Sequence, residues 1–227
     1  MREALRLLRP IRTRELSDSA WAGLVDALHS LIWESRRESA VLARQFFDGQ
    51  QARFSDQSPQ PINLPSYRRE WLERSLEPQR ARLVVEDTPE GALTEVSEIA
   101  MKDTEDAGRK TIVRAVEDSS VAMRWARVLT GRENCGFCIM LASRGAAYRS
   151  EDSAGGEGSS RTFHKGCDCK VVPVFDLEDW PGLEASREAE KIYRDGINGA
   201  RGQRDVLRNL RQYLKDNPSV VDNARAV

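Results

Sequence analysis

The sequence predicts a mainly α-helical protein with a small α+β subdomain rich in cysteine and histidine. Long segments carry apolar residues every three to four positions with charges between them, which is the pattern of amphipathic helices. All four cysteines and one of the two histidines fall within residues 135–169. The segment that follows has the β-branched composition of a short strand or hairpin.

Composition sets the broad class. A chain of 227 residues suffices for one large or two small domains, and 40% hydrophobic with 31% charged residues is typical of a soluble, folded protein. A net charge of −1 gives no overall attraction to nucleic acid. We expect no membrane contact and no signal peptide, and therefore folding in a reducing cytosol. There, cysteines at short spacings are more typical of metal ligands or reduced thiols than of disulfides.

The N-terminal part is predicted to be a basic arm followed by one long helix. Residues 1–14 contain five arginines, which fit either a nucleic-acid arm or a solvated terminus. A helix is expected over residues 18–54, with Ser17 or Ser19 as its cap. His29 lies within the apolar pattern of this helix, so we expect it on the helix surface or between helices rather than at a metal.

The middle of the chain begins with a proline-rich linker. Three prolines between residues 59 and 65 exclude a helix there. Helices are then expected to continue to about Thr130, with Pro78 kinking or splitting the first of them and residues 87–90 starting the next. A strand is predicted at Cys169–Phe175, and Pro173 indicates that it lies at a sheet edge or ends there.

Two further helices are predicted at residues 183–198 and 202–215. The last one has a basic face that fits phosphate, an acidic partner surface or plain solvent, formed by Arg204, Arg208, Arg211 and Lys215. The expected organisation is therefore a basic arm with a long helix (1–54), a linker (55–66), a helical region (67–130), a cysteine–histidine knot (131–180) and C-terminal helices (181–227).

The cysteines and one histidine have the spacing of a metal site. Cys135 and Cys138 form a Cys-x2-Cys pair, and His164, Cys167 and Cys169 follow after a loop that includes the polar, glycine-rich residues 150–160. Such turns direct two side chains toward one ion, and two of them build the tetrahedral N/S site of structural Zn²⁺. The candidate ligands are Cys135, Cys138, His164, Cys167 and Cys169.

There are five candidate ligands for the four positions of a tetrahedral zinc site. Cys167 and Cys169 are two residues apart, so on an extended segment both side chains point to the same side. One of them is then a ligand and the other a core thiol, and the spacing leaves open which. A cluster of reduced thiols or a facultative disulfide is the alternative to zinc. Catalysis is disfavoured, because His164 lies among thiols that a metal would bind, and no Gly-x-Ser-x-Gly, His-Glu-x-x-His or phosphate-loop motif is present. A Ser-Lys or Ser-Asp arrangement stays open, because these residues are too common to diagnose one.

Residues Val128–Ala146, followed by Phe163–Cys169, resemble the MuF-like minor capsid (head morphogenesis) proteins of actinobacterial tailed phages. In that family a Cys-x2-Cys precedes a His-x2-Cys-x-Cys and a strand. Tyr67, Trp71 and Leu72 are similar to a segment of the family's helical half. The resemblance covers residues 15–180.

The resemblance implies a minor head protein that acts in capsid assembly at the portal vertex or capsid interior. Its expected partners are the portal protein and the major capsid or scaffold protein, with packaged DNA as a further contact. It would be assembled in the host cytoplasm and located in the virion. Related proteins are often labelled capsid maturation proteases, so processing of scaffold or capsid protein is the alternative function, and an internal DNA-contacting virion protein is the third.

Overall fold

The computed structural model describes residues 16–59, 61–64, 66–85, 90–130, 134–150, 163, 165–167 and 169–224, without the side chains of residues 84, 85, 90, 203, 204 and 222–224. This part of the chain is mainly helical with one small antiparallel sheet, which confirms the predicted fold class. Its elements in order are α1 (Asp18–Gln51), α2 (Arg69–Val85), α3 (Glu90–Asp118), β1 (Arg124–Val128), α4 (Gly136–Ala142), β2 (Lys170–Val174), α5 (Leu183–Gly196), α6 (Gln203–Asp216) and a 3₁₀-helix (Pro218–Ala224).

Among the predicted features that lie outside the described residues are the basic segment 1–14, the predicted helix start at residues 87–89, and most of the glycine-rich loop at 150–160. No helix of the described ranges is long and apolar enough to cross a membrane. The described residues fall into two compact units. The first contains those within 1–43, 62–111 and 164–166, and the second those within 44–61, 112–163 and 167–227.

The first unit is built from three helical segments around one apolar core. Ser17 caps α1, because its Oγ accepts a hydrogen bond from the Ala20 amide at 3.2 Å. Pro78 does not split α2, which continues through it. The core consists of Trp21, Leu24, Val25, Leu28, Ile32, Leu72, Leu76, Leu83, Ala92 and Val96. Each large member contributes about 1.5–3 kcal/mol by leaving water.

A polar stack around Tyr67 completes the first unit. The Tyr67 hydroxyl donates to Asp103 Oδ2 at 2.8 Å. The His29 ring stacks on the Tyr67 ring at 5.3 Å between centroids, and the Arg36 guanidinium carbon lies 4.6 Å from the Tyr67 ring centroid. Burial raises the pKa of Tyr67, and the Asp103 charge raises it further. His29 thus packs on Tyr67, which lies two residues before the start of α2.

The second unit contains the sheet, in which β1 and β2 pair antiparallel with Arg127 opposite Val171. One face of this sheet packs a core made of Ala126, Val128, Val172, Val174 and Trp180. Trp125 and Arg127 alternate onto the opposite face and are also buried. Pro173 lies opposite Trp125, whose amide and carbonyl instead bond Tyr148 at 2.8 and 3.3 Å.

The expectation of continuous helix to about Thr130 was wrong. The helix ends at Asp118, and β1 begins six residues later, at Arg124. Ser119 causes the change of direction, because its Oγ accepts hydrogen bonds from the amides of Val121 at 3.1 Å and Ala122 at 2.9 Å. A serine that bonds the next amides offers the backbone an alternative to the helix.

Gly108 lies where α1 and α3 pack closely against each other in the first unit. A Cβ at this position would lie 2.7 Å from Ser39 Oγ and 3.0 Å from the Ser39 carbonyl oxygen. The hydroxyl can rotate away but the backbone oxygen cannot. We expect Gly108→Ala to lower the free energy of unfolding, because overpacking costs about 1–3 kcal/mol and the gain in helix propensity returns at most about 1 kcal/mol.

Urea denaturation followed by circular dichroism measures this loss. Gly23→Ala in α1 is the matched control, since nothing lies within 4 Å of a Cβ there. The control should raise the free energy of unfolding by about 0.5–1 kcal/mol. Equal gains in both variants would contradict the close approach at Gly108.

Candidate metal centre

Two segments of the second unit bring the cysteines together. Cys135 is the N-cap of α4, and Cys138 lies in the first turn of that helix. Cys167 and Cys169 precede β2, two residues apart. The Cys138 amide donates to Cys135 Sγ at 3.4 Å, which is the amide–sulfur contact expected of a Cys-x2-Cys turn.

Three of the sulfur atoms form a compact group. The Sγ atoms of Cys138, Cys167 and Cys169 all lie within 4.8 Å of one another, and all three side chains are buried. Cys138 Sγ is 3.4 Å from Cys167 Sγ, which is 3.1 Å from Cys169 Sγ. Cys135 Sγ lies 3.6 Å from Cys138 Sγ. We call Cys138, Cys167 and Cys169 the thiol triad.

These separations fit a thiolate-bound metal. A tetrahedral zinc with Zn–S bonds of about 2.3 Å holds its sulfurs about 3.8 Å apart. The observed distances of 3.1–3.6 Å are slightly shorter, so the site needs only a small expansion to take the ion. The donor set of soft sulfur atoms suits Zn²⁺ and other thiophilic ions, not Mg²⁺ or Ca²⁺.

Only some of the predicted ligands lie in the compact group of sulfur atoms. Both Cys167 and Cys169 belong to the triad, so neither is set apart as a core thiol. Cys135 is exposed and contacts Cys138 at the edge of the group. His164 lies outside the described residues. Cys135 and His164 stay predicted ligands.

The thiols affect one another's protonation. Hydrogen bonds with Cys135, Cys167 and Cys169, together with burial, raise the pKa of Cys138. The hydrogen bond with Cys138 lowers the pKa of Cys167, but the bond with Cys169 and burial outweigh it, so the pKa of Cys167 is raised. None of the four cysteines forms a disulfide. The thiols of Cys138 and Cys167 are therefore harder to deprotonate than free cysteine thiols.

Neighbouring side chains hold α4 in place at its C-terminal end, where helix carbonyls lack partners within the helix. The Tyr148 hydroxyl donates to the Leu141 carbonyl at 3.1 Å, and Ser186 Oγ of α5 donates to the Ala142 carbonyl at 2.8 Å. At the other end, a Cβ on Gly136 would lie 3.4 Å from Leu210 Cγ of α6. Helices α5 and α6 thus fix the element that carries Cys138.

Arg127 is a buried cation beside the triad that the sequence reasoning missed. Its Nη1 lies 3.7 Å from Cys169 Sγ, and only 1% of the residue is exposed. The two residues are 42 positions apart in sequence. The only hint in the sequence was an arginine among the apolar residues Trp125, Ala126 and Val128.

The predicted basic face of α6 is partly neutralised. Arg208 pairs with Asp205 at 2.7 Å. Arg211 and Lys215 are exposed, and the Arg204 side chain lies outside the described residues. The aliphatic part of the Arg211 side chain also lies near Gly136, because a Cβ on Gly136 would be 3.5 Å from Arg211 Cγ. A contact of this face with DNA or a partner stays a prediction.

The fold and the cysteine group define a helical protein with one small thiol-rich α+β unit. The chain belongs to the family described as VG15 protein, whose model matches residues 2–195. It is 34% identical to the Gene 15 protein of Mycobacterium phage D29 over 209 residues, which cover 79% of this chain and 76% of that protein. It is 31% identical to the Gene 15 protein of Mycobacterium phage L5 over 222 residues, covering 82% of this chain and 76% of the relative.

No solved structure matches the chain. The comparisons place it among phage proteins, in agreement with the phage origin that the cysteine motif indicated. The narrower resemblance to MuF-like minor head proteins stays a prediction.

Thiol alkylation tests the geometry of the metal-free site. With iodoacetamide under native conditions, we expect Cys135 to be modified first, because it is exposed and the triad is buried. Mass spectrometry of peptides locates the modification. In denaturant all four cysteines should react at similar rates. Native labelling of Cys138 as fast as that of Cys135 would contradict the burial of the triad.

Proposed function

We propose that this protein is a minor head protein of the phage particle, acting in capsid assembly at the portal vertex or capsid interior, with a structural zinc site in its second unit. Membership of a phage protein family supports the first part, together with the resemblance of the cysteine motif to MuF-like head proteins. The observation that carries the second part is the grouping of three buried sulfur atoms within 4.8 Å.

The zinc has a structural role in this proposal. The triad joins α4 to the start of β2, two segments 29 residues apart at Cys138 and Cys167. An ion bound by both segments closes the intervening loop and replaces thiol protons with strong metal–sulfur bonds. A closed site of four protein ligands leaves no position for a substrate, which is the arrangement of structural rather than catalytic zinc.

The proposed partners are the portal protein and the major capsid or scaffold protein. Helix α1 offers them exposed apolar side chains at several points around its surface: Trp33 is 37%, Val41 41% and Leu42 66% exposed. Exposed apolar groups along a long helix are suited to packing in a groove or against a partner helix.

Metal analysis tests the zinc site. Protein purified without chelator should contain about one zinc per chain. Removing the ion should lower the free energy of unfolding by about 4 kcal/mol when free zinc had exceeded its dissociation constant about 1,000-fold. Thermal denaturation with and without chelator measures the change.

The matched control for that experiment is Cys138→Ser, which should contain no zinc and show no response to the chelator. Cys135→Ser and His164→Ala then identify the fourth ligand, because only the one that binds should lower the zinc content. A wild-type protein that folds fully without metal and takes up none would refute the site.

Co-expression with the portal, major capsid and scaffold proteins tests the assembly role. The chain should sediment with assembled heads, and electron microscopy should place it at the portal vertex or inside the capsid. Leu42→Glu should reduce incorporation, because it replaces the most exposed of these apolar side chains with a charge. Ser30→Glu, at an exposed polar position of the same helix, is the control and should be incorporated normally.

Two results of the same experiment would overturn the assembly role. One is a shortened scaffold or capsid protein whose appearance depends on a cysteine or serine of this chain, which identifies a maturation protease. The other is absence from heads combined with salt-sensitive retention of DNA, which identifies a DNA-binding protein.

A further inference from the structure

The sulfur atoms of the second unit lie in a row that leads from the surface to the interior. Cys135, at the outer end, is exposed, whereas only 1% of Cys138 is exposed. Cys135 Sγ lies 3.6 Å from Cys138 Sγ, which lies 3.4 Å from Cys167 Sγ. A thiol reagent in solution therefore meets Cys135 before it meets the buried triad.

The arrangement of Cys135 and Cys138 suits a disulfide between them. Cys135 is the N-cap of α4 and Cys138 lies in its first turn. The Cys138 amide donates to Cys135 Sγ at 3.4 Å, which holds this sulfur beside that of Cys138. From their separation of 3.6 Å, the two sulfurs need to approach by only about 1.6 Å to form a bond of about 2.05 Å. Neither cysteine forms a disulfide in the structure, so the pair is present as a dithiol.

We propose that Cys135 and Cys138 are a modification site, a dithiol that low-molecular-weight disulfides such as oxidised glutathione convert to an internal disulfide. Cys135 gives up its proton, and its sulfur attacks one sulfur of the oxidant, which releases one thiol and leaves a mixed disulfide on Cys135. Cys138 then gives up its proton, attacks the Cys135 sulfur and releases the second thiol. The two cysteines lose two electrons and two protons, and the oxidant takes them up as two thiols.

The short distance between the two sulfurs decides how the mixed disulfide reacts. Because Cys138 is held beside Cys135, its attack is an intramolecular step. Positioning of this kind gives a reacting group a very high effective concentration. The mixed disulfide is therefore resolved by Cys138 faster than a second thiol arrives from solution.

Oxidation of this pair also removes a ligand from the proposed zinc site. The thiolate is the form of cysteine that binds a metal, and a sulfur within a disulfide is no longer a thiolate. Because Cys138 belongs both to the pair and to the triad, the disulfide and a site of three thiolates exclude each other. A reducing cytosol then favours the metal-bound form, and an oxidising environment favours the disulfide. This link to the metal rests on the proposed function, whereas the dithiol itself does not.

The experiment treats metal-free, full-length protein with oxidised glutathione. The number of thiols that react with a chromogenic thiol reagent in denaturant should fall from four to two, because one disulfide uses two of them. Peptide mass spectrometry of the alkylated protein should locate the disulfide between Cys135 and Cys138. A first disulfide between Cys167 and Cys169, or glutathione that stays attached to Cys135 of the wild type, would overturn the inference.

Two serine variants separate the steps. Cys138→Ser keeps the exposed Cys135 thiol but lacks the second sulfur, so glutathione should stay attached to Cys135. Cys169→Ser is the matched control, because it also replaces a buried cysteine of the triad but leaves the pair intact, and it should still form the disulfide. Should Cys138→Ser fail to fold, the disulfide mapped in wild type and the loss of the reaction in Cys135→Ser decide the question.

Zinc-loaded wild type tests the link to the metal. One zinc ion should be released for each disulfide formed, as measured with a zinc-sensitive dye in the presence and absence of oxidised glutathione. Disulfide formation with the zinc retained would contradict the link. Absence of zinc from wild type would refute the proposed site, and the disulfide mapped in the metal-free protein would still support or overturn the dithiol.

Discussion

In the second unit, four sulfur atoms from two segments distant in sequence each lie within 3.6 Å of another sulfur. Cys135 and Cys138 open a helix of seven residues, and Cys167 and Cys169 precede a strand of five. Neither element is long enough to be stable by itself. Each is held by contacts with its neighbours: α4 with β1, α5 and α6, and β2 with β1. The sulfur group joins these two marginal elements at their starting points.

Local signals in the sequence were enough for much of the fold. The Ser17 cap, the long periodic segment of α1 and the β-branched segment of β2 each act over a few residues, so they can be recognised without knowledge of the remaining structure. The strand β1 could not be recognised in this way. Ala122, Trp125 and Val128 recur at a spacing that suits a helix face, and only the Ser119 turn and the pairing with β2 decide otherwise.

The candidate site, too, was recognisable from the sequence only in its local features. Residue type and spacing identified the thiols, and alternation along an extended segment correctly placed Cys167 and Cys169 on one side. The inclusion of both in a single group depends on how α4 meets the start of β2. The position of Arg127 beside Cys169 depends on a contact across 42 positions, which neither composition nor periodicity encodes. Long-range contacts therefore decide the chemistry, although the ligand types are visible in the sequence.

Pro173 has a consequence beyond the pairing of two strands. Because the backbone groups of Trp125 point toward Tyr148, the alternation of an antiparallel ladder turns those of the opposite residue, Pro173, away from β1. The outer side of β2 therefore lacks one amide donor in its middle. A further strand, from another copy or an unfolded chain, would meet a missing hydrogen bond there. Proline at this position therefore works against the pairing of a further strand along that side of β2.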